Sequence, residues 1–93
     1  MKITFDQAKR DTTLAERGID FQDAKSLFEG PSFSFDDDRF DYGELRVVTV
    51  GRLEGRMMIV VWTPRGDTRH VISMRKANDR EQARYGSRLT AER

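Results

Sequence analysis

The 93-residue chain is 37% apolar and 35% charged, which suits one domain, residues 1–93, around one modest core. It has no cysteine, hence no disulfide framework or thiolate metal site, and neither a membrane-spanning apolar run nor the apolar core of a signal peptide, so a cytoplasmic location without membrane contact is expected. The net charge of +1 hides an uneven spread: residues 1–44 hold 6 Lys or Arg against 11 Asp or Glu, and residues 45–93 hold 11 against 5.

In chain order, Lys2–Phe5 is a short strand with Ile3 and Phe5 on one face. Asp6 is placed to cap a first helix that Gly18 ends, with Ala8, Leu14 and Ala15 as a weak apolar contribution. Asp20 caps a second helix, in which Phe21, Ala24, Leu27 and Phe28 recur at three- and four-residue spacing on one buried face. Gly30-Pro31 stops it. Ser32–Phe35 alternates polar and aromatic residues, placing Phe33 and Phe35 together, and residues 36–44, DDDRFDYGE, form an acidic loop. Its adjacent aspartates match no defensible calcium-loop spacing, and no metal or other cofactor is expected.

A β-meander follows. Leu45–Val50 is a strand, Leu53-Glu54-Gly55 a tight turn, and Met57–Trp62 the most apolar run and so a central strand. Pro64-Arg65-Gly66-Asp67 turns the chain into Arg69–Arg75. Period-two geometry puts His70, Ile72, Met74 and Lys76 on one face of that strand, and Arg69, Val71, Ser73 and Arg75 on the other. Asn78 or Asp79 caps a closing helix with Ala83, Tyr85 and Leu89 as its thin apolar face, and the end through Arg93 frays. The expected architecture is α+β: two N-terminal helices, an antiparallel meander and a C-terminal helix.

The richest stretch is Arg69–Tyr85, where Lys76, Arg80, Arg84 and Arg88 follow at four-residue spacing to give one basic helical stripe. A strand ending in Arg75, a basic helix behind it and the nearby phenol of Tyr85 suit the handling of phosphate, although a solvated surface helix has the same composition. No glycine-rich phosphate loop or zinc spacing is present, and the single histidine, His70, fits a structural position better than a catalytic one.

The segments FDQAKR, RGIDFQDA, FEGP, RVVTVGRLEGRMMIVVWTPRGD and above all VISMRKANDREQARY resemble the BrnT family of bacterial toxins over roughly residues 3–85. Two departures are Arg17, where many members carry His before the glycine, and Thr13, where Asn is frequent. The resemblance implies a RelE-like ribonuclease fold, inhibition of translation by cleavage of mRNA (on or off the ribosome), and a hetero-oligomer with a BrnA-like antitoxin. Cleavage by the RNA's own 2′-OH requires alignment, neutralisation of the extra phosphate charge and two proton movements. Arginine's planar fork suits the charge, and Arg75, fixed at a strand end, is the first choice. Proton transfer falls to Glu81, Tyr85 or a pKa-shifted Lys76. Arg46, Arg52, Arg65, Arg80 and Arg84 are candidates to hold the RNA backbone. A non-catalytic module that binds RNA or a ribosomal surface through the same basic face is the alternative.

Overall fold

The computed structural model describes residues 2–91. Strand β1 (Lys2–Phe5) leads into helix α1 (Gln7–Arg17), a single 3-10 turn (Phe21–Asp23) and a short helix α2 (Ala24–Glu29). Four strands follow, β2 (Ser32–Asp36), β3 (Val47–Leu53), β4 (Arg56–Arg65) and β5 (Thr68–Lys76), and then helix α3 (Asp79–Ala91). The α+β class is as expected, and the expected fraying through Arg93 lies outside the described residues.

The sheet corrects the expectation of an all-antiparallel meander. Its order is β1-β5-β4-β3-β2, and β1 pairs in parallel with β5, from Lys2↔Thr68 to Phe5↔Val71. Parallel pairing needs a long crossover, and nearly the whole chain between the two strands supplies it. The hairpin β3–β4 closes on two residues at positive φ, Glu54 (52°) and Gly55 (81°), the backbone that matches strand twist. β4 is longer than expected at both ends and includes Pro64, opposite Arg69 on β5, at a point beyond the last residue that β3 pairs. Leu45 and Arg46, expected in β3, precede it.

The sheet has a core on each face. On one side Ile19, Phe21, Ala24 and Leu27 pack on Met58, Val60, Val71 and Met74. Leu27 sits so close to Gly51 that a Cβ there would lie 2.9 Å from Leu27 Cγ, which fixes glycine at that strand position. Phe28, expected on the buried face, is only partly buried, edge-on to Trp62 with the ring centroids 5.7 Å apart. On the other side Phe33, Val48, Val50, Met57, Ile59 and Ala77 receive Leu89 of α3, with Tyr85 at the margin. Ala83, expected to help, is exposed.

Helix α1 buries none of its residues. It is held instead by polar contacts. Asp6 accepts a hydrogen bond from Lys9 N–H at 3.0 Å, and Gly18 takes the left-handed conformation at the other end. Arg10 grips Asp20 with two bonds of 2.9 and 2.8 Å, and Lys9 Nζ donates to the Ile72 carbonyl at 2.6 Å. Hydrogen bonding from Arg10 holds the Asp20 carboxyl below the usual range.

Ile72 explains why the face assignment in β5 needs correction. The register steps from Trp62↔Val71 to Val61↔Ser73, leaving Ile72 as an extra residue, a β-bulge. Alternation is therefore reset midway. Val71 and Met74, expected on opposite faces, both enter the core beneath α2. Lys76 follows Met74 to that side, whereas Arg75 stays on the side of α3.

Candidate active site

Arg75 is delivered to the α3 face by the last turn of register in β5, opposite Ile59. Two residues on, the chain turns into α3 through a capping box: Asn78 Oδ1 accepts from Glu81 N–H at 2.8 Å, and Glu81 Oε1 accepts from Asn78 N–H at 3.0 Å. The same Glu81 carboxylate receives both guanidinium nitrogens of Arg75, at 2.7 and 2.8 Å. Hydrogen bonding from Arg75 lowers the Glu81 carboxyl to about 2, and Glu81 in turn raises Arg75. One side chain thus starts the helix and orients the arginine.

This pair borders a cavity of about 360 Å³ between α3 and the segment after β2. Val48, Ile59 and Val61 of the sheet form its apolar floor, and Arg84 and Tyr85, from the next turn of α3, form one wall. Asp36, Asp37, Asp38 and Arg39 form the opposite wall. Within it Asp37 is buried and turned onto Arg39, with bonds of 2.9 and 3.0 Å, and accepts from the Tyr42 hydroxyl at 3.3 Å. The Asp37 N–H donates to the Arg46 carbonyl at 2.8 Å, tying the wall to the start of β3. The hydrogen bonds from Arg39 hold the Asp37 carboxyl below its usual range. Among the described residues no cluster of His, Asp or Glu could hold a metal ion.

Of the predicted proton-transfer and phosphate residues, the structure brings Arg75, Glu81, Tyr85 and Arg84 together. Lys76 is not with them. It lies at the end of β5 beside two other clefts, with Asp20 and Arg56 in one and with Arg52 and Gln82 in the other. It is also outside α3, which starts at Asp79, so the four-member basic stripe shortens to Arg80, Arg84 and Arg88. Arg80 is exposed on α3 without lining the cavity. Arg52 is at the Lys76 end of the sheet. Arg46 and Arg65 are at the far end, where both approach Glu44, at 3.7 and 3.9 Å, and Arg46 lies over the Tyr42 ring at 3.9 Å.

A family model described as "Ribonuclease toxin, BrnT, of type II toxin-antitoxin system" matches residues 5–81. The chain belongs to the BrnT family. No curated protein matches it. Membership makes it a ribonuclease toxin with an antitoxin partner, and the BrnT match runs through Arg75 to Glu81, the pair at the cavity mouth. No helix among the described residues is long and apolar enough to cross a membrane.

Two features of this BrnT cavity were not singled out as site components from the sequence. One is the Asp37–Arg39 wall, which lies in the acidic loop 36–44, where the aspartates suggested at most a metal site. The other is Phe35, which lines the cavity and whose alternation with Phe33 marked a shared face but not what that face adjoins. His70 is removed from the cavity. Its Nδ1 lies 2.9 Å from Thr4 Oγ1, joining β5 to β1, and burial lowers its pKa.

Proposed function

We propose that this toxin cuts single-stranded RNA, mRNA above all, by metal-independent transesterification, with the scissile phosphate held by Arg75 in the cavity beneath α3. The observation that carries this is the bidentate Arg75–Glu81 pair at a cavity also lined by Arg84 and Tyr85. The guanidinium already has the two-pronged geometry that phosphate oxygens match. The 2′-oxygen bonds to phosphorus as the bond from phosphorus to the 5′-oxygen breaks, giving a 2′,3′-cyclic phosphate and a 5′-hydroxyl. Arg75 and Arg84 neutralise the charge that builds on the phosphoryl oxygens.

Two protons must move. Glu81 is too weak a base while Arg75 holds it near 2. A phosphate that takes over the guanidinium frees the carboxylate, raises its basicity and leaves it to accept the 2′-proton. Tyr85 gives its phenolic proton to the departing 5′-oxygen. Lys76, on the other side of the sheet, has no part in this. The succession of two helical segments, a sheet and a closing helix supports a RelE-like ribonuclease fold, and a BrnA-type antitoxin in a hetero-oligomer is the fitting partner.

The test is incubation of the purified chain with single-stranded RNA in EDTA. Fragments ending in 2′,3′-cyclic phosphate are expected, and Arg75→Ala should slow their formation by roughly a hundredfold or more, as for other electrostatic contacts to a transition state. Undiminished cleavage by Arg75→Ala would remove Arg75 from the chemistry. RNA that is bound but left intact would identify a binding module instead.

A further inference from the structure

Beside the Arg75 cavity, α3 and the sheet edge border a second, smaller trough of about 260 Å³, lined by Phe35, Arg84, Tyr85 and Arg88. Its aromatic base is built by period-two alternation in β2, which places Phe33 and Phe35 on the α3 side with ring centroids 6.4 Å apart and planes 28° from parallel. Tyr85 adds a third ring, 5.5 Å from Phe33 and 6.0 Å from Phe35. Arg84 and Arg88, one helical turn apart, bring their guanidinium groups to 5.7 Å from the Tyr85 centroid and 3.8 Å from that of Phe33.

Phe33 is buried, but Phe35 is left 37% exposed. Neither Arg84 nor Arg88 has a carboxylate partner among the described residues. A partly exposed flat ring with planar cations beside it is what single-stranded nucleic acid uses, because every base has a face to stack and a phosphate beside it. Phe35, Arg84 and Tyr85 also line the Arg75 cavity, so the two spaces are continuous.

We infer that the trough is a nucleobase subsite: the base of a nucleotide adjacent to the phosphate at Arg75 stacks on Phe35, within reach of the planar groups of Arg84 and Arg88. This rests on the RNA-cleavage reading and adds to it the residues that select unpaired over paired RNA. A base inside a duplex has both faces covered and cannot enter. Stacking is tolerant of base identity, so the subsite requires a free base rather than a particular one.

The probe is a short 2′-O-methyl oligoribonucleotide, which lacks the attacking hydroxyl, carrying 2-aminopurine next to the central phosphate. Binding should quench its fluorescence beyond that of the free strand. An oligonucleotide abasic at that position should bind about tenfold more weakly, the usual scale of one stacked base. Phe35→Leu, which keeps an apolar side chain on the edge strand but removes the flat ring, should lose that discrimination, so that base-bearing and abasic strands bind it alike. Arg88→Lys, retaining charge without the plane, should lose part of it and keep the salt dependence.

Equal binding of base-bearing and abasic strands by the unaltered toxin overturns the subsite while leaving the phosphate site standing. So does a Phe35→Leu protein, melting normally, that discriminates as before. If Phe35→Leu leaves both strands bound normally but loses the antitoxin, the trough is a protein-docking surface and the inference fails. No binding of either strand, with Arg75→Ala no different, counts against the phosphate site itself.

Discussion

Glu81 has three jobs at once, and each has a separate signature. It closes the capping box with Asn78, it orients Arg75, and in the proposed reaction it accepts a proton. Glu81→Gln separates them, because glutamine preserves the box while losing the charge. Cleavage should fall by about a hundredfold, the scale of general-base catalysis. The stability effect has a defined pH window. The carboxyl titrates at about 2 in the folded chain against 4.5 ordinarily, so between those values the unfolded state binds more protons and acid favours unfolding. The stabilisation is therefore complete above about 4.5 and lost as pH falls toward about 2. Melting curves of the unaltered chain and Glu81→Gln should differ most near neutrality and converge in acid. Arg75 is 44% exposed, so solvent screening limits the gap to about 1 kcal/mol or less. A gap that widens in acid would show that the pair does not stabilise the fold.

At the level of elements, the second helical segment anchors its face of the sheet, since α1 buries nothing. Leu27 is fully buried and sits against Gly51 of β3. Leu27→Ala should cost about 2–5 kcal/mol, a large share of the stability of so small a domain. Gly51→Ala should also destabilise, by about 1–3 kcal/mol, by forcing the same contact from the other side. Denaturant midpoints test both, and an unchanged midpoint for Leu27→Ala would show that this segment is not the anchor. Of the four residues expected on its buried face, Phe28 alone is only partly buried: helical spacing identified the face, but not that Phe28 sits at its rim. Most of the strands, both capping aspartates and the shared face of Phe33 and Phe35 were legible in local pattern alone. Two things were not. The parallel partnership of β1 with β5 joins residues 66 positions apart, as Thr4 and His70 are, and nothing local encodes it. The bulge at Ile72 adds one residue to a ladder, and that single step brings Val71 and Met74, which strict alternation puts on opposite faces, into one core.

For the molecule as a whole, charge was expected to divide acidic N-terminal from basic C-terminal surface. The fold mixes them at the site that matters. Asp36 and Asp38 stand across the cavity from Arg75 and Arg84, while Arg80, Arg84 and Arg88 run along α3. Phosphate thus enters between an acidic wall and a basic one, and binding should depend strongly on salt. The same asymmetry bears on how the antitoxin acts. An acidic segment laid along α3 would meet three arginines and cover the cavity mouth; we expect neutralisation by this direct occlusion. The alternative is docking beside α1, where Ala8, Phe21, Ile72 and Met74 contribute to a separate hollow of about 400 Å³ and Lys9 reaches the bulged Ile72. An antitoxin seated there would leave α3 open and would have to act through β5. Competition distinguishes the two. A toxin saturated with antitoxin should no longer bind the 2′-O-methyl oligonucleotide, and Arg80→Glu combined with Arg88→Glu should weaken antitoxin binding with a shallower salt dependence. If the saturated complex binds RNA as tightly as the free toxin, occlusion is wrong. Direct covering is favoured because it requires no rearrangement: the bidentate Arg75–Glu81 pair, the capping box and the Asp37–Arg39 wall already fix the cavity, and a segment across its mouth has only to be there.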